Sequence, residues 1–429
     1  MRKGLDETER RTYVRHSSAQ AFESLFMAIC WSGAEVAIKS FDATVLVVTL
    51  ITMAPGIAQL VALFVARRLQ VLGRKRLLHA CALVGRAPLL LVIFIAGPWS
   101  FLALLSLQAL TMSVVIANWN SLIRVNYRDE HRAHLFARVT RLGALVSGIG
   151  TLGAGIWLDM DQTAYHYIYP IAAILGILSL WIFAGIDARR GEHADDDPDG
   201  EAPHFRDLMR TFFGDREFLQ FEIGFMLYGI AFMAISTAKP LRMAGVLDLP
   251  YATLLGSKAA FSLAMVLASV AAGSLLNRLG PARLASRAYW GLTLYCGMLF
   301  LTTEPWHLVA AEAWFGLVMT AVHIAWNLGP VLLAPNARVA SSYMLIHVAL
   351  VGVRSAIGHP LGGVLTEVTG DPRTVFVFSA VFFSLAALTM ANLARRRELA
   401  GRATAVGELA EEAEVPGEAS PRRTPIAPD

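Results

Sequence analysis

Several ionisable residues of this chain lie in the middle of long apolar stretches. Glu35, Glu312 and Arg354 are the clearest cases, and His323 and His359 share such surroundings. A charged side chain inside lipid costs about 3 kcal/mol or more, so it is retained where it binds a partner, an ion or a substrate. Burial also disfavours the charged form of a carboxyl group and so favours proton binding. Each of these residues is therefore a candidate site residue, with Glu35 and Glu312 as candidates for proton coupling.

Motifs of other chemistries are not found in the sequence. It contains no Gly-x-x-x-x-Gly-Lys-Ser/Thr loop for ATP, no His-Glu-x-x-His and no Gly-x-Ser-x-Gly. The cysteines, Cys30, Cys81 and Cys296, fall inside apolar segments and lack zinc-site spacing. We therefore expect neither an enzyme nor a protein with a cofactor, a metal or a nucleic-acid partner.

The elements that must position the ionisable residues are long apolar helices. Of the 429 residues, 55% are hydrophobic and 16% are charged, whereas soluble domains have about 25% charged residues. A bilayer core of about 30 Å needs about 20 apolar residues for each helical span. Helices satisfy their own backbone hydrogen bonds inside lipid. The composition therefore predicts an all-α polytopic membrane protein.

Twelve spans are predicted, joined by short connections such as residues 97–99 and 302–305. The predicted spans are 19–38, 43–65, 77–97, 99–121, 139–158, 166–186, 218–238, 252–275, 285–302, 306–330, 341–365 and 374–394. They define an organisation of five parts. These are a cytoplasmic N-terminal segment (1–18), an N-terminal six-helix bundle (19–186), a cytoplasmic linker with an amphipathic helix (187–217), a C-terminal six-helix bundle (218–394) and a disordered cytoplasmic tail (395–429).

Lys and Arg accumulate on one side of these spans. Twenty-nine of them fall on the side of the two termini and four on the other side, which holds Lys39, Lys239, Arg242 and Arg373. Positively charged loops stay in the cytoplasm. Both termini are therefore expected to be cytoplasmic, in a multi-pass protein of the cell (inner) membrane.

The two bundles are copies of one another in the sequence. Pro98-Trp99 recurs as Pro305-Trp306, and Trp119-Asn120 recurs as Trp326-Asn327, both at an offset of 207 residues. Tryptophan is scarce, so two such coincidences at one offset indicate a duplication. Each copy has an even number of spans, which predicts parallel halves related by an axis along the membrane normal.

The loop after the second span of each copy carries a glycine-arginine motif. The second copy reads Gly273-x-x-x-Asn277-Arg278-x-Gly280, and the first keeps its end as Gly73-Arg74-Lys75. These residues resemble the signature of the major facilitator superfamily, Gly-x-x-x-Asp-Arg-x-Gly-Arg-Arg/Lys, and the resemblance covers residues 19–394. It implies that the motif residues form a gating latch, namely Gly73, Arg74, Gly273, Asn277, Arg278 and Gly280.

The same resemblance implies that spans 1, 4, 7 and 10 line a central cavity. The polar and aromatic residues that these spans contribute are Trp31, Glu35, Gln108, Tyr228, Glu312, His323, Trp326 and Asn327, with His347, Arg354 and His359 added by span 11. Arg354 corresponds to Val146 in the first copy, so its charge is not a feature of the repeat. Two roles are open for it: binding an anionic group, or pairing with Glu312.

Other polar residues suggest structural or gating roles. Glu23 and Glu222 occupy equivalent positions and are expected in ion pairs, with Arg138 and Arg141 as the partners of Glu23. Arg86 is expected to pair with a polar neighbour or to reach the membrane surface. Trp119 and Trp326 are expected to anchor the protein at the membrane interface.

The sequence thus favours a secondary active transporter that moves a small solute by alternating access of the rocker-switch type. Proton-coupled symport of a polar or anionic metabolite is the first hypothesis. A proton-coupled drug or metabolite efflux antiporter is an alternative, and so is a non-transporting sensor or assembly protein on the same scaffold. The expected partners are the solute, the lipid bilayer and a coupling proton, and the protein is expected to be monomeric.

Overall fold

A computed structural model describes residues 5–70, 73–187, 205–335 and 337–414. The described chain is almost wholly helical and contains no strand. The α-helices are α1 (Glu7–Cys30), α2 (Gly33–Phe41), α3 (Val45–Gln70), α4 (Arg74–Cys81), α5 (Pro98–Asn126), α6 (Asp129–Met160), α7 (Tyr165–Ala184), α8 (Phe205–Gly214), α9 (Arg216–Pro240), α10 (Tyr251–Leu301), α11 (Pro305–Leu333), α12 (Ala337–Thr369) and α13 (Arg373–Glu414). The prediction of an all-α membrane protein is confirmed.

Shorter helical segments extend two of these helices. A π-helical turn (Ala82–Arg86) and a 3-10 helix (Ala87–Phe94) continue α4, and a π-helical segment (Leu241–Val246) continues α9. A 3-10 turn (Gln162–Ala164) joins α6 to α7. Most of the predicted linker, 188–204, and the end of the predicted tail, 415–429, lie outside the described residues. The segment 395–414, expected to be disordered, is instead helical as part of α13, because it is rich in the strong helix formers Ala, Glu and Arg.

Nine helices of the described chain are long and apolar enough to cross a membrane. They become ten if α1 and α2, which meet at a bend of 41°, form one span. Two predicted spans are not in this set. In the first, 43–65, the described apolar helix Val45–Val61 is shorter than 18 residues. The second, 285–302, is the later limb of α10. The count of twelve therefore stays a prediction.

The helix-neighbour pattern of the first half repeats in the second half. We define the N-terminal half as α1–α7 and the C-terminal half as α9–α13. In the first, α1 packs on α6 and α7; in the second, α9 packs on α12 and α13. Between the halves, α6 packs on α10, and α3 packs on α12. The arrangement confirms that the chain consists of two matching bundles.

Two glycines break the helices at equivalent places. Gly73 precedes α4 with φ 71° and ψ 145°, and Gly280 interrupts α10 with φ 69° and ψ 166°. This backbone region is essentially restricted to glycine. The glycines of the repeated motif therefore make sharp turns.

Small residues allow the two halves to approach closely. A side chain at Gly155 on α6 would lie 2.7 Å from the carbonyl oxygen of Tyr251 on α10. One at Gly148 would lie 3.2 Å from Ala259. Glycine at such points brings helix backbones together inside lipid. Gly148 and Gly155 therefore lie where the two halves meet.

Candidate functional site

Glu312, a predicted proton-coupling residue on α11, is buried inside the C-terminal half. Its Oε1 accepts hydrogen bonds from Lys239 Nζ at 2.9 Å and from the Tyr295 hydroxyl at 2.7 Å. The three groups come from α11, α9 and α10. Because a lysine neutralises the carboxylate, Glu312 forms a buried ion pair within one bundle.

Glu35, the second predicted proton-coupling residue, is buried between the halves. Its Oε1 lies 2.8 Å from Lys258 Nζ on α10. The same ammonium group donates to the carbonyl oxygen of Trp31, also at 2.8 Å, where the helix breaks between α1 and α2. Lys258 thus binds two groups of span 1 that the break presents together. Lys258 was not among the predicted site residues.

Arg354 lies inside the C-terminal half and is 4% exposed. It donates from Nη1 to the carbonyl oxygen of Phe225 at 3.2 Å, and its guanidinium carbon lies 6.0 Å from the centre of the Tyr228 ring. Tyr228 in turn stacks on Tyr289 at 4.9 Å. The pairing of Arg354 with Glu312 is not formed, because Lys239 occupies Glu312 and Arg354 turns toward α9.

The equivalent residues Glu23 and Glu222 both form buried pairs. Glu23 accepts two hydrogen bonds of 2.7 Å from the guanidinium of Arg86, which also donates to the carbonyl oxygen of Gly176. Glu222 Oε1 lies 2.7 Å from His347 Nδ1. The role of buried pairs was expected for both glutamates.

The partner expected for Glu23 was wrong. Arg138 and Arg141 were predicted, whereas the structure places Arg86 on the carboxylate. Arg141 is exposed on α6. The π-helical turn after α4 directs Arg86 into the bundle, where a buried guanidinium requires a carboxylate. The expectation that Arg86 binds a polar neighbour is met.

The remaining predicted cavity residues divide into buried and exposed groups. Gln108 is buried and donates to the Met27 sulfur at 3.4 Å. His359 Nδ1 is 3.1 Å from the Thr237 hydroxyl, and Thr237 is 2.8 Å from Thr52 across the halves. Exposed side chains are those of Trp31, His323 and Asn327. The structure therefore does not bring all of the predicted residues together.

Trp119 and Trp326 do not play equivalent parts. Trp119 is buried, donates from Nε1 to His16 Nε2 at 3.0 Å and stacks on Phe183 at 4.0 Å. The prediction that it anchors the protein in the interface is wrong, because its indole N–H finds a partner inside the bundle. Trp326 is half-buried, and its ring lies 5.3 Å from that of His347.

A set of polar contacts joins the halves at the helix ends remote from Glu7. Asp159, at the end of α6, accepts hydrogen bonds from the backbone N–H groups of Tyr251 at 2.7 Å and Ala252 at 2.8 Å. Lys39 forms an ion pair with Asp248. We call these contacts the outer seam. Asp159 supplies acceptors to the first N–H groups of α10, which have no partners within the helix.

Ion pairs at the opposite helix ends stay within one half. Lys75 pairs with Asp187 at 3.0 Å in the N-terminal half. Arg397 pairs with Glu217 at 2.7 Å in the C-terminal half. Unlike the contacts of the outer seam, these two ion pairs do not join one half to the other.

A family model described as Major Facilitator Superfamily matches residues 17–351. The chain belongs to this superfamily. No curated protein sequence matches it. Among solved structures, the nucleoside transporter NupG is similar, with a TM-score of 0.69 and 12% identity over 90% of this chain and 99% of that chain. A mutant of NupG gives 0.67 and 13% identity over 88% and 99%.

A bacterial homologue of the human lysosomal transporter Spinster, in an inward-facing and unoccupied conformation, is similar to this superfamily member with a TM-score of 0.64. The identity is 15%, over 91% of this chain and 98% of that chain. At such identities the likeness shows the fold alone. Family and fold together support a membrane transporter rather than an enzyme.

The structure describes some of the side chains of the superfamily motif. Arg74 donates to the carbonyl oxygen of Ile186 at the end of span 6, and Arg278 is exposed. Both glycines at the turns have positive φ. Gly273 and Asn277 lie outside the described side chains. The first copy of the motif therefore ties the start of α4 to the end of the sixth span of its own half.

Sequence reasoning missed a polar cluster at the N-terminal end of α1 in this superfamily member. Glu9 accepts hydrogen bonds from the Arg128 backbone N–H at 3.0 Å and from its guanidinium at 3.1 Å, and lies 3.1 Å from His131 Nδ1. Burial alone raises the pKa of Glu9, but these hydrogen bonds outweigh it and lower the pKa to about 2. The available signal was the Asp6–Glu9 capping box, which starts α1 at Glu7, well before the predicted span.

Proposed function

We propose that this protein is a secondary active transporter that works by alternating access, as a rocker switch of two bundles around a central site. One observation carries the proposal: the polar contacts of the outer seam join the halves at one end, while the ion pairs described at the other end stay within a half. Two rigid bundles fastened at one end can separate at the other. The conformation is then inward-facing, with its opening toward the cytoplasm.

The proposed transport is proton-coupled symport of a polar or anionic metabolite. Support comes from the charged groups that the spans bury, which apolar solutes do not require. Arg354 is proposed as the cation that an anionic group approaches. The protein is proposed to act as a monomer in the cell (inner) membrane.

A binding and transport experiment tests the proposal. The purified full chain is screened by thermal shift against nucleosides and small organic anions, and each hit is tested for uptake into proteoliposomes with an imposed pH gradient. We expect at least one hit to accumulate several-fold over protein-free vesicles. Binding without movement of any hit, in either direction of the gradient, would refute transport.

The proposed role of Arg354 has a matched control. Arg354→Ala is expected to abolish the thermal shift produced by an anionic hit. Arg373→Ala removes a surface guanidinium that bonds Asp371 in its own loop, and should keep the shift. Unchanged affinity in a folded Arg354→Ala protein would show that the anion binds elsewhere.

A further inference from the structure

The equivalent glutamates Glu23 and Glu222 differ in the cation that faces them. In the N-terminal half, Arg86 holds both oxygens of Glu23. Arginine stays protonated at every physiological pH. The pair in this half is therefore a permanent one.

The C-terminal half lacks the residue that makes the first pair permanent. The repeat offset is 207 residues both before and after Arg86, so Arg86 corresponds to Thr293. The Thr293 hydroxyl lies 3.2 Å from that of Ser384. The partner of Glu222 is instead His347, from α12, and its counterpart in the first copy is Val139. Histidine is the side chain whose charge changes between about pH 5 and 8. The two halves thus share the glutamate, but it faces a fixed cation in one half and a histidine in the other.

The hydrogen-bond geometry leaves a place for a proton. An ionised carboxylate only accepts hydrogen bonds, so the 2.7 Å contact with Glu222 assigns the proton of neutral His347 to Nδ1. Nε2 then carries a lone pair. Both His347 Nε2 and Glu222 Oε2 are buried without a partner in the described structure. Buried polar atoms without partners are rare and require an explanation.

We propose that the Glu222–His347 pair is the proton-binding site of the transporter proposed above, and that the Glu23–Arg86 pair is its non-titrating counterpart. Uptake adds one proton to Nε2 of His347, and no bond is broken. The imidazolium keeps its Nδ1–H bond to Glu222 and becomes the second half of an ion pair. Release reverses the step.

The groups that face the pair come from each helix packed around it. From α12, Arg354 interacts electrostatically with Glu222 and donates to the backbone carbonyl oxygen of Phe225. Among the described residues, Tyr228 on α9 stacks on Tyr289 of α10, and the rings of Phe225 on α9 and Trp326 on α11 pack against the imidazole. Trp326 is half-buried, and the next residue along α11, Asn327, is exposed.

The charges of this cluster indicate the class of solute. With neutral His347, the charges of Glu222 and Arg354 cancel. Proton uptake adds one positive charge inside the membrane, where an unbalanced charge is costly. An anionic group that binds with the proton offsets that charge. This part rests on the proposed function, and it makes the substrate a small anion carried together with a proton.

Nitrogen NMR of the full chain tests the site without a substrate. The protein is labelled with ¹⁵N-histidine in nanodiscs, and the signal of His347 among the eleven histidines is assigned by its loss in His347→Gln. We expect this signal to change from the neutral Nδ1–H form to the doubly protonated form between pH 8 and 5. In Glu222→Gln, proton affinity should fall about tenfold, because an opposite charge is removed.

Two variants serve as controls, one at the equivalent glutamate of the other half and one at an exposed histidine. Glu23→Gln, and His79→Gln at an exposed histidine, should leave the His347 signal unchanged. A wild-type His347 signal that stays constant from pH 8 to 5, or that responds alike in Glu222→Gln and wild type, overturns the proposal.

A transport measurement separates this proposal from the general function. For an anionic hit, the accumulation driven by a pH gradient should be at least about tenfold lower in His347→Gln than in the wild type. Exchange of labelled for unlabelled solute should continue in this variant. If the wild type showed no exchange, transport would be refuted, but the proton site would not. Full pH-driven accumulation in His347→Gln would refute the proton site but leave transport standing.

Discussion

At the scale of residues, each buried glutamate of the described spans is paired with a specific cationic or histidine side chain. The pairs within the described spans are Glu23–Arg86, Glu35–Lys258, Glu312–Lys239 and Glu222–His347. Uncompensated charge inside lipid is costly, which is why the sequence already marks these glutamates. The partners come from distant helices, so local spacing does not reveal them.

Removing the guanidinium of the Glu23–Arg86 pair should be strongly destabilising. Arg86→Met leaves Glu23 buried without a cation, and a loss of about 3–5 kcal/mol in the free energy of unfolding is expected. Thermal unfolding of the purified protein measures the loss. The double variant Glu23→Gln/Arg86→Met removes both charges and should recover much of it. Equal unfolding temperatures for the single and double variants would contradict the role of the pair.

At the scale of elements, the spans are interrupted helices. Span 1 breaks between α1 and α2, where the Trp31 carbonyl oxygen is released to Lys258. Gly280 turns the chain sharply between the two limbs of α10. A side chain added at Gly280 would meet no atom within 4 Å. Its requirement for glycine is therefore one of backbone conformation and not of space.

Replacing this glycine should cost backbone strain alone. Gly280→Ala is expected to lower the free energy of unfolding by about 1–3 kcal/mol, because the backbone there lies in a region that alanine avoids. Thermal unfolding in detergent measures the change. Gly297→Ala is the matched control on the same helix: it is equally uncrowded and has no positive φ. There alanine should be neutral or stabilising. A Gly280→Ala protein as stable as Gly297→Ala would exclude the conformational requirement.

At the scale of the molecule, the two bundles are joined at one end, by the contacts of the outer seam. The Asp159 carboxylate reaches from one bundle to the start of α10 in the other and accepts two backbone hydrogen bonds. Hydrogen bonds to a charged group contribute about 1.5–3 kcal/mol each. The seam is therefore strong enough to hold these ends of the two bundles together.

Weakening the outer seam should open it. Asp159→Ala is expected to raise the population with separated outer ends by about tenfold or more, since about 1.4 kcal/mol corresponds to a factor of ten. Electron-spin distance measurements between labels at Trp99→Cys and Trp306→Cys report the separation, in a background without the buried cysteines 30, 81 and 296. A longer distance component should appear.

The neighbouring aspartate provides the control for the seam. Asp161 accepts its hydrogen bonds from Thr163 within its own loop, so Asp161→Ala should leave the distances unchanged. If Asp159→Ala gives the same distance distribution as Asp161→Ala, the carboxylate does not hold the halves together.

The helical membrane fold, the two matching halves and the motif glycines Gly73 and Gly280 could be predicted from the sequence. These follow from composition, from the repeat and from backbone limits on single residues, all of which are local or periodic properties. The sequence also identified which buried charges require partners. Among the candidate site residues, Glu312, Glu35 and Glu222 were found in this way.

The tertiary structure alone decided which partner each charge receives and which end of the molecule is fastened. Arg86 instead of Arg138 faces Glu23, and Asp159 caps a helix of the other half. Such contacts join residues far apart in the chain, and their geometry depends on how whole helices are rotated and bent. From the sequence alone, several cationic residues could pair equally well with one carboxylate. The packing of the helices allows only one of them to reach it.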